Sequence, residues 1–210
     1  MNSLLSLTMG YLIGSVNPSA FISSIRGTDI RKTGTGNLGA TNAMLNFGKA
    51  AGLLVMLFDM GKAYLAFRLA QALFPTGGLS GLIAGSAAVA GHIFPFYLGF
   101  RGGKGLASLG GLILAFDTDT FLLLLGLGVA LMIITNISIS LQLTSALFFP
   151  VCACLLTGDL RVLLISAVPC ALVLIKHRSN IAAAIRREDV RVRDFAREHM
   201  SSHSRNRDKL

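Results

Sequence analysis

The sequence is short of charge. Of its 210 residues only 14 % are Asp, Glu, Lys or Arg, where an ordinary soluble domain carries about 25 %. Tryptophan is missing, and cysteine is down to three, Cys152, Cys154 and Cys170. Three thiols set inside apolar runs exclude a disulfide-stapled scaffold. Cys152 and Cys154 stand two apart, so on a helix they face different sides and cannot jointly grip a metal. They read as small buried hydrophobes. What is plentiful is apolar: 53 % hydrophobic residues and 23 glycines, with a mean hydropathy of +0.66. That balance excludes a disordered chain and an ordinary soluble enzyme. It points to a polytopic membrane protein.

Apolar runs cover residues 4–25, 50–74, 79–100, 103–116, 121–139, 141–156 and 162–175. At 1.5 Å per residue a helix needs about 20 residues to cross a bilayer. Runs 103–116, 141–156 and 162–175 are shorter and must borrow flanking residues or shelter among neighbours. The expected fold is all-α with about seven transmembrane helices. The first run lacks the basic flank of a cleaved signal peptide and is taken as the first membrane helix, bent where Pro18 frees the carbonyl of Gly14. Lys and Arg number 19 against 10 Asp and Glu. They gather at Arg26, Arg31, Lys32 and Lys49, at Arg101 and Lys104, and from Lys176 through the tail. With seven crossings these fall on one face, which puts the N-terminus outside and the C-terminus in the cytoplasm. The same cations suit anionic membrane lipid. They lack the aromatic interleaving of a nucleic-acid surface, so no nucleic acid is expected. Residues 1–185 form one transmembrane domain, and 186–210 a basic cytoplasmic tail.

Three glycine-rich polar stretches lie on that cationic face, where polar groups beside a bilayer are expensive unless they serve a site. In the first, Thr33-Gly34-Thr35-Gly36-Asn37-Leu38-Gly39-Ala40-Thr41-Asn42, glycines let backbone N–H groups converge on an anion, though such loops are also ordinary turns. The second runs from Gly91-His92 to Phe100-Arg101-Gly102-Gly103-Lys104-Gly105. It sets two cations around a Gly-Gly pair at a helix start, which suits an oxyanion. The third, Lys176-His177-Arg178-Ser179-Asn180-Ile181, puts His177 and Asn180 on one helical face. Asp59 and Lys62, at i, i+3 inside an apolar run, are expected to pair. Asn136, Ser138 and Ser140 form a polar break that either lines the same cavity or makes a turn.

Taken together and in order, these stretches resemble the bacterial acyl-phosphate:glycerol-3-phosphate acyltransferases, the PlsY family. The carriers are Gly14-Ser15…Pro18, the Thr-Gly-Thr-Gly-Asn-x-Gly-Ala-Thr-Asn loop, Asp59-x-x-Lys62, Gly91-His92-x-Phe94-Pro95, the Arg-Gly-Gly-Lys-Gly loop and His177-Arg178-x-Asn180-Ile181. The resemblance implies transfer of a fatty acyl group from acyl-phosphate to the 1-hydroxyl of glycerol 3-phosphate, giving lysophosphatidate at the inner face of a bacterial cell membrane. No metal, cofactor or acyl-CoA is implied. It assigns Lys104, His177 and Asn180 to catalysis, and Thr35, Gly36, Asn37, Thr41, Asn42, Arg101, Gly102, Gly103 and Ser138 to substrate binding. The sequence departs from the family pattern in its threonines at 33 and 35, where serines are usual. It also has Leu45 and Ala183 where arginines are usual, and Arg187 where a glycine is usual. The loss of two cations leaves an alternative open, a catalytically altered paralogue that binds or carries a phosphate ester or lipid.

Overall fold

The computed structural model describes residues 1–74 and 78–188, and every regular element among them is helical. In chain order these are α1 (Asn2–Ser15), α2 (Pro18–Ile25), a 3-10 turn at Ile30–Lys32, α3 (Ala40–Phe47), α4 (Lys49–Leu73) and α5 (Ser80–Ile93). A second 3-10 turn at Phe96–Leu98 follows, then α6 (Leu106–Phe116), α7 (Thr118–Thr135), α8 (Ser140–Thr157), α9 (Leu160–Lys176) and α10 (Arg178–Ile185). All but the first three residues of the expected basic tail lie outside the described residues.

Four segments are long and apolar enough to cross a bilayer: Lys49–Leu73, Ser80–Leu98, Thr118–Thr135 and Ser140–Thr157. Helices α9 and α10 make a fifth if their 60° bend is counted within one span. With 14 and 11 residues, α1 and α6 are shorter than the roughly 20 that a straight crossing needs.

The first apolar run is not one bent helix. It breaks into α1 and α2 at Val16 and Asn17, because Pro18 opens a new helix at a position where its missing N–H costs nothing. Asn17 caps that helix, its side chain accepting from the Ala20 N–H at 2.9 Å. Side chains from elsewhere meet two of the carbonyls at this break. Tyr97 Oη donates to Ser15 O at 2.9 Å, and Lys62 Nζ donates to Val16 O at 2.7 Å.

Small residues set the closest helix pair. On α1, a Cβ at Gly10 or Gly14 would overlap the carbonyls of Ala84 and Ala88 on α5, and one at Gly91 of α5 would overlap the Tyr11 carbonyl. Lipid gives no hydrophobic drive for helices to associate, so close backbone approach and van der Waals contact must do it. The main apolar core joins α4, α5, α6, α8 and α9 around Phe67, Leu82, Ile93, Leu109, Leu112, Phe149 and Val173. Cys170 is buried in it and Cys152 packs against it.

Gly14→Val is expected to destabilise the protein by about 1–3 kcal/mol, the usual cost of overpacking. Thermal unfolding in detergent should show this as a lowered midpoint, while Gly61→Ala, at a site inside α4 with no neighbour within reach, should unfold no lower than the parent.

Candidate active site

The break between α1 and α2 fixes the site from one side. Besides capping α2, the Asn17 amide donates through Nδ2 to Leu38 O at 3.3 Å, within the first glycine-rich loop. Its backbone N–H donates to Tyr97 Oη at 3.1 Å, in the turn that leads to the second. Lys62 reaches the same break from α4. Its Nζ also lies 2.8 Å from Asp59 Oδ1 and 2.9 Å from His92 Nδ1. His92 Nδ1 in turn lies 3.1 Å from Asp59 Oδ1. The expected Asp59–Lys62 pair is therefore a cluster of three groups, all buried. His92 was invisible as a member because 33 residues of sequence separate it from Asp59.

From His92 the chain turns back on itself. The N–H groups of Gly102 and Gly103 donate to the carbonyls of Ile93 and His92, each at 3.1 Å, and so satisfy the end of α5. Only glycine fits there. A Cβ at Gly102 would overlap the His92 carbonyl, and one at Gly103 would overlap the imidazole. This doubled-back strip delivers Lys104 to the start of α6, and Lys104 Nζ donates to Asn180 Oδ1 of α10 at 2.6 Å.

Lys104 lies on the wall of a cavity of about 510 Å³. Its polar lining comprises Asn37, Thr41, Asp59, His92, Lys104, Gln142, Ser145 and His177. Its apolar lining includes Met56, Met60, Ile113, Phe121, Leu124 and Leu125. Three helices begin at this cavity: Ala40 and Thr41 open α3, Leu106 and Ala107 open α6, and Leu141 and Gln142 open α8. None of the three has a side-chain cap. Their first-turn N–H groups carry partial positive charge and lack intrahelical acceptors, so together they favour an anion. By contrast Asp117 and Asp159 cap α7 and α9, accepting from the N–H groups of Thr120 and Arg161 at 2.7 and 2.8 Å.

His177 is 5 % exposed. Its Nδ1 lies 2.8 Å from Val173 O, a partner that can only accept, so Nδ1 carries the hydrogen and Nε2 keeps a lone pair. Lys104 is the sole Lys or Arg among the described lining residues. The other cations of the third stretch are engaged elsewhere. Lys176 Nζ stands 4.5 Å from the centre of the Phe94 ring, and Arg178 donates to Ile175 O at 3.2 Å.

The residues singled out from sequence separate into groups. Asn37, Thr41, Lys104 and His177 meet on the cavity wall, and Asn180 joins them through Lys104. Thr35, Gly36, Asn42, Arg101, Gly102, Gly103 and Ser138 do not line it. Asn42 is fully buried and holds the first loop instead: Oδ1 accepts from Thr35 N at 2.8 Å and Nδ2 donates to Ile30 O at 2.8 Å. Arg101 is exposed. Ser138 sits in the α7–α8 turn. Sequence reasoning passed over Gln142 and Ser145, which line the cavity one and two turns further on. The polar break at Ser138 and Ser140, continued at helical spacing, was the available signal.

A cavity that pairs open helix starts and a lysine with an apolar lining suits an amphiphile with an anionic head. The family-model comparison makes this specific, since the model described as glycerol-3-phosphate acyltransferase matches residues 4–187. A glycerol-3-phosphate acyltransferase of Synechococcus sp. (strain CC9902) is 38 % identical over 183 residues, 86 % of this chain and 90 % of that one. One from Bacillus velezensis is 33 % identical over 193 residues, 91 % and 98 % of the two chains. The crystal structure of PlsY (YgiH), an integral membrane glycerol 3-phosphate acyltransferase, in its glycerol 3-phosphate form, matches with a TM-score of 0.78. It is 29 % identical, over 91 % of this chain and 96 % of that one. The chain belongs to the glycerol-3-phosphate acyltransferase family.

Removing one member of a buried ion cluster strands the others. Asp59→Leu is expected to cost about 3–5 kcal/mol, and Asp59→Leu with Lys62→Met markedly less. Unfolding midpoints of the two variants against the parent would check this.

Proposed function

We propose that the protein transfers a fatty acyl group from acyl-phosphate to the 1-hydroxyl of sn-glycerol 3-phosphate. The products are lysophosphatidate and inorganic phosphate. The observation that carries this reading is that Lys104, three uncapped helix starts and an apolar set of side chains line one and the same cavity. The family and its glycerol 3-phosphate-bound relative support the acceptor. A lysophosphatidic acid form of that relative, with a TM-score of 0.78 and 26 % identity over 91 % of this chain and 95 % of that one, supports the product.

Acyl-phosphate is a mixed anhydride, already activated, so positioning and charge stabilisation suffice to drive transfer. The hydroxyl oxygen attacks the acyl carbon, the bond from that carbon to the phosphate oxygen breaks, and phosphate leaves. Lys104, fixed by Asn180, neutralises charge on phosphate. The N–H groups at the starts of α3 and α6, with Asn37 and Thr41, cradle the anions. His177 presents Nε2 to the acceptor hydroxyl, whose proton passes to that nitrogen or to the departing phosphate. Thr35, Gly36, Asn42, Gly102 and Gly103 act one step back, shaping the loops that carry these groups. Arg101 and Ser138 lie off the cavity wall. The same reading keeps residues 1–185 as one transmembrane domain of seven crossings, with the N-terminus outside and the site open to the bacterial cytoplasm. The basic tail then rests on anionic lipid.

The competing reading, a paralogue that binds phosphate esters without turnover, draws on Leu45 and Ala183, which leave Lys104 without a second cation on the wall. Leu45 is 54 % exposed on α3. Purified, lipid-reconstituted protein given labelled glycerol 3-phosphate should make lysophosphatidate from palmitoyl-phosphate and none from palmitoyl-CoA or an acyl carrier protein thioester. Product from no donor, with glycerol 3-phosphate still bound, would establish the competing reading. Leu45→Arg with Ala183→Arg would then be expected to raise turnover from nothing, whereas a working site should respond little.

Lys104→Ala and Asn180→Ala should each lower kcat/KM by at least about tenfold, since charged hydrogen bonds are worth about 1.5–3 kcal/mol. Burial holds the Lys104 ammonium below the usual lysine range. The charged form is present below that lowered pKa, so activity should fall as pH rises through it. In Lys104→Arg, which stays charged, the alkaline limb should move to higher pH.

A further inference from the structure

On α6 the cavity wall is a stripe of Leu106, Ala107, Gly110 and Ile113, the spacing of one helical face. Gly110 stands halfway along it, and nothing in its own packing requires glycine. Its backbone is ordinary helix. A Cβ there would meet its nearest neighbours, Phe121 Cε2 at 3.7 Å and Met60 Cε at 4.0 Å, at ordinary contact distances. Gly111 next to it differs, because a Cβ there would overlap the Met60 carbonyl where α4 crosses α6. Glycine inside a helix costs about 1 kcal/mol against alanine, and at 110 no close approach offsets that. Two other helical glycines with open surroundings, Gly61 and Gly126, are exposed. Gly110 is half-buried, and its open side faces the cavity.

Past Gly110 the lining residues are buried. Ile113 and Leu124 are 1 % and 2 % exposed, and Phe121 stands across from them at the start of α7. Gly110 therefore stands between Lys104 at the start of α6 and the buried Ile113 further along it, with Met60 and Phe121 beside it. We propose that Gly110 is a specificity-determining residue, whose missing side chain sets how long an acyl chain the groove admits. This rests on reading the apolar lining as the seat of the acyl chain. A side chain at 110 projects between Met60 and Phe121 and stops a straight chain at that level. Shorter chains end above it.

The test is a chain-length profile of the reconstituted parent, Gly110→Ala and Gly110→Leu, with octanoyl-, lauroyl- and palmitoyl-phosphate as donors. Each methylene that can no longer be buried costs a factor of about four. Gly110→Leu should therefore lower the palmitoyl-to-octanoyl ratio of kcat/KM by at least about tenfold, with Gly110→Ala between it and the parent. Gly126→Leu, on the exposed side of α7, serves as the control and should keep the parent's ratio. A ratio in Gly110→Leu within twofold of the parent's would overturn the proposal. If the parent turns over no acyl-phosphate, the donor assignment fails by itself. The same ratio is then read from the affinities of the four proteins for palmitoyl and octanoyl lysophosphatidate, with the same two outcomes deciding.

Discussion

Charge that must stay inside an apolar medium organises this protein. A lone ion at the centre of a membrane costs several kcal/mol, so Asp59, Lys62 and His92 can be kept only if they satisfy one another. They do so in a way that leaves no freedom. The Lys62 ammonium stands 2.7 to 2.9 Å from groups of α4, α5 and the α1–α2 break. The cluster thereby sets the distance between α4 and α5, and ties both to the place where Pro18 interrupts the first apolar run. Because His92 belongs to it, the glycine strip that folds back over the end of α5 inherits the same fixed frame. The position of Lys104 follows, nearly rigidly, from an ion cluster in which it takes no part.

The second organising feature is what the helices lack. Where α7 and α9 begin, aspartates close the exposed N–H groups. Where α3, α6 and α8 begin, no side chain does. Open helix starts destabilise a fold unless something else accepts their hydrogens. Three such starts lie at one cavity, where their N–H groups suit an anion. Such donors are also fixed before any anion arrives, which is what electrostatic preorganisation requires.

The sequence showed some of this and hid the rest, for reasons that follow range of interaction. Apolar runs, the proline and the glycine-rich loops are local signals, and they placed the helices, the chain break and the loops that carry Asn37, Thr41 and Lys104. The break itself was misjudged as a bend, because a proline at the first position of a new helix and one inside a continuing helix look alike when the preceding asparagine is not weighed as a cap. Asp59 and Lys62 were legible as a pair since one helical turn separates them. His92 was not, because its partnership is made only when α5 packs on α4. Asn42 is the converse case. Its place in a donor-rich loop suggested contact with substrate, and only the fold shows both ends of its amide engaged by the backbone of the same loop.

The shortage of cations on the cavity wall has its own logic. Lys104 is the sole Lys or Arg among the described lining residues, while both proposed substrates are phosphates. Many full charges would hold phosphate tightly before and after transfer alike, and uniform binding of that kind does nothing for the chemical step. Neutral N–H donors at helix starts bind more weakly but point in fixed directions, so they can favour the geometry in which charge moves from anhydride to leaving phosphate. Under the proposed reaction a single lysine, half-buried and held by Asn180, would contribute where that charge changes most. Leu45 and Ala183 would then exchange affinity for release, and an acyl tail held in the bilayer would lessen the charge needed to retain that substrate.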